Sequence, residues 1–426
     1  MNFTFRYKES ILSFNVHDDD VLFYAKLGKL PIIKNINQAV NHAISNPICS
    51  PSLKEIVKEK RNIVIISDDL TRPTPQKIII PLILDYLNYC DIKDSMITII
   101  IATGTHRPMS SNEIIERFGE QVTKRVKILN HNYSEKECID MGITEEGTPI
   151  QINPLVYNAS VKIGVGSVIP HDIAGWSGGA KIIQPGVSSE VTTDYTHFKG
   201  NIYENPLDLV GNVESFVRKE IELIAGKVGL DFIINTVLDE NNNLVGIFAG
   251  NYILAHRKAV EVAEKIYRPT INKKADIVII NAYPANIDFW QGSKPFIYAH
   301  LAVNDGGIII FVFDAPEGVA GGAPKHRETM LNWSTAETNE IIKNLDNGNI
   351  KDRTCGSSCV LISRLLKRAK VFCISEGLSN YEVKRLGFIP FKNIQDAIKE
   401  AQKTLGGNAS IGIIPYGGET IIRVKE

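Results

Sequence analysis

The chain has 426 residues, past the about 250–300 at which a single core stops growing, so two domains are expected. Hydrophobic residues at 44% and charged residues at 22% are ordinary globular proportions, which excludes disorder, collagen-like repeats and coiled coil. Lysine and arginine number 47 against 48 acidic residues, and a formal net charge of −1 leaves no global basic field to gather nucleic acid or anionic lipid.

The opening MNFTFRYKES alternates charge and apolarity as a strand does and lacks the apolar stretch of a secretory leader. Residues 3–29 read as short β segments, with alternation in FTFRYK and VLFYAKL. NIVIIS (Asn62 to Ser67) is a β-branched run of the kind buried on both faces of a parallel sheet, and it empties into the polar loop DDLTRPTP. A helix is expected from about Pro75. Its apolar stretch, Ile78 to Leu84, is broken by proline and far short of the ~20 residues that cross a bilayer, so no membrane role is expected. The plan repeats with the strand MITIIIAT (Met96 to Thr103), the loop GTHRP, and a helix opening at Ser110 or Ser111 with Glu113 or Glu116 in its first turns. A third strand, VKIGVGSV (Val161 to Val168), runs into IPHDIAGWSGGAKIIQPG. Ligands of open parallel sheets sit at the carboxyl ends of the strands, where all three loops fall.

A polar helix from about Pro206 to Ile224, strands near Asp231 and Leu244, and a helix from about Tyr252 to Ile266 complete a first domain, residues 1–266. The polar, proline-containing stretch 267–274 (YRPTINKK) reads as a linker. A second domain, 275–426, starts with ADIVIINAYP. It continues through GIIIFVFD, a Gly-rich loop from Gly318 to Gly322, a helix near Ser358 to Arg368, the strand KVFCIS and a helix near Asn393 to Leu405. The expected class is α/β, two domains with mostly parallel sheets and an active-site cleft between them. Cys49, Cys90, Cys138, Cys355, Cys359 and Cys373 are too sparse for a disulfide framework and suit a reducing, cytoplasmic setting. CGSSC reads as a plain loop, because a metal site needs two more ligands that no neighbouring Cys or His supplies.

Three groups of residues carry chemistry. GWSGGAK fails as a nucleotide P-loop, since Ala180 and Ile182 stand where that motif needs a glycine and a hydroxyl. Its glycines still allow close backbone approach to a phosphate, with Lys181 at the strand end. His106, His171 and His197 lie at or beyond the strand-end loops; beside Arg72 and Lys181 they suggest an acid/base and metal-binding set. His197 has no second ligand at i+4, so no closed all-protein zinc site is offered. FWQGSKP follows the first strand of the second domain and brings Trp290, Gln291 and Lys294 toward the first-domain loops.

DDLTRPTP, GTHRP, PHDIAGWSGGAKIIQPG, TTDYTH and the late QGSK together resemble the lactate racemase family, the nickel-pincer-nucleotide enzymes, across both domains in the same order. The resemblance implies a racemase or epimerase of a small 2-hydroxy acid, lactate-like by default. It works by reversible hydride transfer through a planar 2-keto acid. The implied cofactor is a pyridinium-3-thioamide-5-thiocarboxylic acid mononucleotide tethered to Lys181, holding nickel with His197 as protein ligand and flanked by Asp69 and Trp290. His106 and His171 would be the acid/base pair; Arg72, Gln291 and Lys294 would hold the substrate. Cofactor-building proteins are the implied transient partners. Two alternatives stand beside this reading: an NAD-type 2-hydroxyacid oxidoreductase, disfavoured because no GxGxxG follows a strand, and a non-catalytic carrier or sensor of the nickel cofactor.

Overall fold

The β-branched runs become the central strands, because a strand covered on both faces selects Ile and Val throughout. Ile63–Asp68 is buried along its whole length. In the computed structural model, which describes residues 1–203, 205–321 and 323–425, six strands form a first sheet. Their order is Leu244–Gly250, Phe232–Leu238, Val161–Ser167, Ile63–Asp68, Ile97–Ala102 and Lys127–Asn130, with only the Leu244–Gly250 edge antiparallel. A second six-stranded sheet, parallel throughout, runs Ile389–Pro390, Lys370–Ile374, Val303–Val312, Ala275–Asn281, Ile411–Ile414 and Val21–Tyr24. The protein is thus an α/β molecule with two mostly parallel sheets.

The helix Gln76–Tyr89 turns Ile79, Ile80, Ile83, Leu84 and Leu87 inward. Ser110 and Glu113 form the capping box that opens Ser111–Phe118, the pairing their three-residue spacing suggests. Among the described residues no helix is long and apolar enough to cross a membrane.

Five sequence expectations need correction or placement. Residues 1–24 do not belong with the first sheet: Val21–Tyr24 hydrogen-bonds to Ile411–Ile414, and the hairpin Asn2–Tyr7/Ser10–Asn15 packs Phe3, Phe5 and Phe14 on the second. The expected linker likewise contributes Thr270–Ile271, paired with Arg423–Val424. The polar helix starts only at Phe216, capped by Ser215; upstream lie a 3-10 turn at Pro206–Leu209 and Gly211 at φ +68°. CGSSC is no loop but the first turns of the helix Arg353–Leu366, with Cys355 and Cys359 buried, and the fold brings His326 and Asp352 within 4.8 Å of Cys355. Gly322, expected to close a Gly-rich loop, lies outside the described residues.

Candidate active site

Each sheet has one point where successive strands diverge to opposite sides: between Ile63–Asp68 and Val161–Ser167 in the first, and between Ala275–Asn281 and Ile411–Ile414 in the second. The carboxyl ends at such points splay apart and leave a crevice. Asp68 pins the first one, accepting from the Ser167 amide (3.2 Å), Gln76 Nε2 (2.8 Å) and Arg117 Nη2 (2.7 Å). Loops from both sheets line an open cleft of about 950 Å³, the solvent at its mouth included. Asp69, Arg72, His106, His171, Lys181 and His197 line it from the first sheet, and Trp290, Gln291 and Lys294 from the second. Every residue singled out in the sequence therefore reaches one cavity.

His106 Nδ1 lies 2.7 Å from Asp69 Oδ2, and its Nε2 lies 3.2 Å from Gln291 Nε2 across the cleft. The Gln291 amide donates to a free Nε2, so the Nδ1 proton belongs on the Asp69 side. Burial alone would raise the Asp69 carboxyl, yet His106, Arg72 and Thr71 hold it far below its ordinary range. Asp69, expected beside the cofactor, thus commits its carboxylate to His106 and Thr71. His171 is buried, and burial followed by the charge of Lys181 drives its imidazolium form well below the usual histidine range.

Lys181 sits in the 3-10 turn Gly179–Ile182. The preceding carbonyls are gripped from behind. Arg218, fully buried, donates to the carbonyls of Trp176 (3.0 Å) and Gly178 (3.4 Å), and His256 Nε2 lies 2.9 Å from that of Ser177. Asn235 accepts from the Gly179 amide at 2.8 Å. The Lys181 amine has no hydrogen-bond partner among the described residues. Burial, then Arg72 and Lys294, pushes it well below the ordinary lysine range. The amine opens into the cleft.

His197 rides the helix Glu190–Ile202, capped by Ser189. Its Nδ1 lies 3.0 Å from the Thr193 carbonyl, which fixes the proton there and leaves the lone pair on Nε2. Burial, then Lys181, lowers its pKa to about 4, so the ring is neutral. The second domain steadies this helix. Asn201 donates to Ser357 at 2.9 Å, Arg364 to the Ile202 carbonyl at 3.0 Å, and Thr354 to Asp194.

Trp290, Gln291 and Lys294 share the helix Phe289–Ala299, whose N-cap Asp288 accepts from the Gln291 amide at 2.9 Å. Lys294 donates to Gln291 Oε1 at 2.5 Å; burial, then Arg72, lowers its pKa to about 8. Arg72 donates to the carbonyl and hydroxyl of Thr71. The Trp290 ring lies 4.9 Å from that of His326. Sequence reasoning missed Asn235, Arg218 and His256, which act through distant chain and left no local signal.

Such a cleft between the carboxyl edges of two parallel sheets is that of a two-unit α/β enzyme. Residues 7–206 match the family model described as the lactate racemase N-terminal domain, and residues 270–422 that described as the lactate racemase C-terminal domain. A lactate racemase of Thermoanaerobacterium thermosaccharolyticum is 30% identical over 100% of both chains, and one of Lactiplantibacillus plantarum 28% identical over 91% of each. The structure of the T. thermosaccharolyticum lactate racemase apoprotein superposes with a TM-score of 0.88 at 28% identity, covering 99% of this chain and 100% of the other. A Thermotoga maritima protein of 17% identity shares the fold, at a TM-score of 0.73 over 94% of this chain and 100% of its own. The chain belongs to the lactate racemase family and is an isomerase.

Proposed function

We propose that the chain is a nickel-dependent racemase or epimerase of a 2-hydroxy acid, lactate by default. The observation that carries this reading is the convergence in one cleft of His106 and His171, the cations Arg72 and Lys294, and a lysine amine with no hydrogen-bond partner among the described residues. The residues fit the family's nickel-pincer nucleotide. Lys181, shifted well below the ordinary lysine range by burial, offers the amine a covalent tether needs. His197 presents a neutral imidazole with Nε2 free for nickel. Trp290 offers an aromatic wall. When bound, the cofactor supplies a hydride acceptor, which a Cα–H beside a carboxylate requires because it is too weakly acidic to leave as a proton.

The chain's own groups do the rest. Arg72 and Lys294 hold the substrate carboxylate from opposite sides of the cleft, and Gln291, bonded to both Lys294 and His106, ties that clamp to the acid/base group. His106 and His171 take or return the hydroxyl proton, one for each enantiomer, since inversion presents opposite faces to the protein. Unpaired cysteines throughout suit a cytoplasmic setting, and the cofactor-building proteins are the expected transient partners.

Holoenzyme formed by co-expression with those proteins should interconvert at least one of lactate, 2-hydroxybutyrate, malate, phenyllactate and gluconate, each supplied as a single enantiomer or epimer and followed by chiral chromatography. Failure on all of them with nickel cofactor bound would reject the activity in favour of a non-catalytic carrier.

A further inference from the structure

The proposed chemistry asks His171 to offer a bare Nε2 to the substrate hydroxyl, but the backbone around it favours the other tautomer. His171 ends the short strand Pro170–His171, paired with Gly175–Trp176. Its ring folds over the intervening turn, so that Nδ1 faces the amides of Ile173 (3.2 Å) and Ala174 (3.3 Å). A neutral imidazole that accepts at Nδ1 carries its proton on Nε2 and has no lone pair there to receive another. His106 escapes this problem because Asp69 accepts a hydrogen bond from its Nδ1–H.

The chain supplies His171 with a carboxylate as well. Asp172 Oδ1 lies 2.9 Å from His171 Nδ1, on a side chain only 11% exposed. That oxygen is buried and has no hydrogen-bond partner among the described residues. A buried acceptor without a donor is costly, and the one ring position within reach is Nδ1. Burial would raise the Asp172 carboxyl, but the adjoining His171 ring, then Lys294 and His197, hold it well below the ordinary carboxylate range.

We propose that Asp172 is the positioning residue of His171: its carboxylate accepts the Nδ1 proton, draws the ring from turn acceptor to base, and leaves Nε2 free toward the substrate. The inference rests on the reading of His171 as an acid/base group. The proton balance is simple. The hydroxyl proton passes to Nε2 while the Nδ1 proton stays where it is, hydrogen-bonded to Asp172, and the resulting imidazolium is neutralised by that carboxylate. The reverse step returns the Nε2 proton to oxygen. Asp172 itself lines the cleft and acts through the His171 ring, so that each histidine works with its own carboxylate.

The tautomer can be read without cofactor or substrate. In full-length apoprotein labelled with ¹⁵N-histidine, long-range ¹H–¹⁵N correlation separates Nδ1–H from Nε2–H rings, and His171→Gln assigns the resonance. The expected result is Nδ1–H in the wild type and Nε2–H in Asp172→Asn, with circular dichroism unchanged. An Nε2–H ring in the wild type, or a tautomer indifferent to Asp172→Asn, overturns the proposal. In holoenzyme, Asp172→Asn should lower kcat by about 10²–10⁴-fold with KM little changed, Asp172→Glu should recover part of it, and the double variant with His171→Gln should be no worse than His171→Gln alone. Full activity of His171→Gln would defeat the reading of His171 itself. Loss in His171→Gln with full activity in Asp172→Asn would defeat only the role of Asp172.

Discussion

Lys181 and Lys294 are the same residue type in one cleft, yet their surroundings set them to different tasks. Lys181, with no hydrogen bond among the described residues, is pushed well below the ordinary lysine range by burial, then by Arg72 and Lys294, while Lys294, bonded to Gln291, has a pKa of about 8 and is mostly an ammonium ion at neutral pH. The sign for substrate binding follows. Below about 8 the ammonium attracts the substrate carboxylate; as pH rises through that value the charge is lost and KM climbs. In holoenzyme, KM should be flat at neutral pH and rise on the alkaline side, whereas Lys294→Arg, charged throughout, should show no such rise even if kcat falls. A wild-type KM indifferent to alkaline pH would show that Lys294 does not contact the substrate. For Lys181, intact-mass analysis after co-expression should find one cofactor adduct in the wild type and none in Lys181→Ala. An adduct surviving that substitution would place the tether elsewhere.

At the level of elements, the SGGAK turn works because two carbonyl clamps hold it from behind. Gly179 has φ +58°, and a Cβ there would meet Arg218 Nη2 at 2.6 Å and the Tyr252 carbonyl at 2.9 Å. Gly179→Ala should therefore cost ~1–3 kcal/mol from strain and overpacking and lower the fraction of Lys181 carrying an adduct. Denaturant titration with mass analysis measures both, and an unchanged midpoint with full loading would contradict the clamp. The turn was legible in sequence through its glycines, and the strands before it through runs such as NIVIIS. CGSSC was not. Cys, Gly and Ser have modest helix propensity, and that segment is helical because it is capped by Asp352 and buried against its neighbours, facts of tertiary contact. The carboxylates serving the two histidines split the same way: Asp172 is adjacent in the chain, but Asp69 lies 37 residues from His106 and meets it only because neighbouring parallel strands end together.

For the whole molecule, the division into two domains by chain order proves only partly physical. The N-terminal strand Val21–Tyr24 completes a sheet whose next strand is Ile411–Ile414, a pairing no local pattern announces. More consequential is the packing between the two sheets. Val168, Ile169, Trp176, Val210 and Val237 from the first half belong to the same buried apolar cluster as Phe289, Phe296, Tyr298 and Phe311 from the second. Two domains joined by a small polar interface move and melt separately; a large apolar one couples them. The apoprotein should therefore unfold in one calorimetric transition. Trp176 is the probe, being fully buried with its indole N–H on the Gly211 carbonyl at 3.0 Å. Trp176→Ala should cost ~3–5 kcal/mol and shift that single transition as a unit, because removing the ring opens a cavity in packing that both sheets share. Two resolved transitions, of which the substitution moves only one, would show that the sheets fold independently and that the cleft between them is free to open as a hinge.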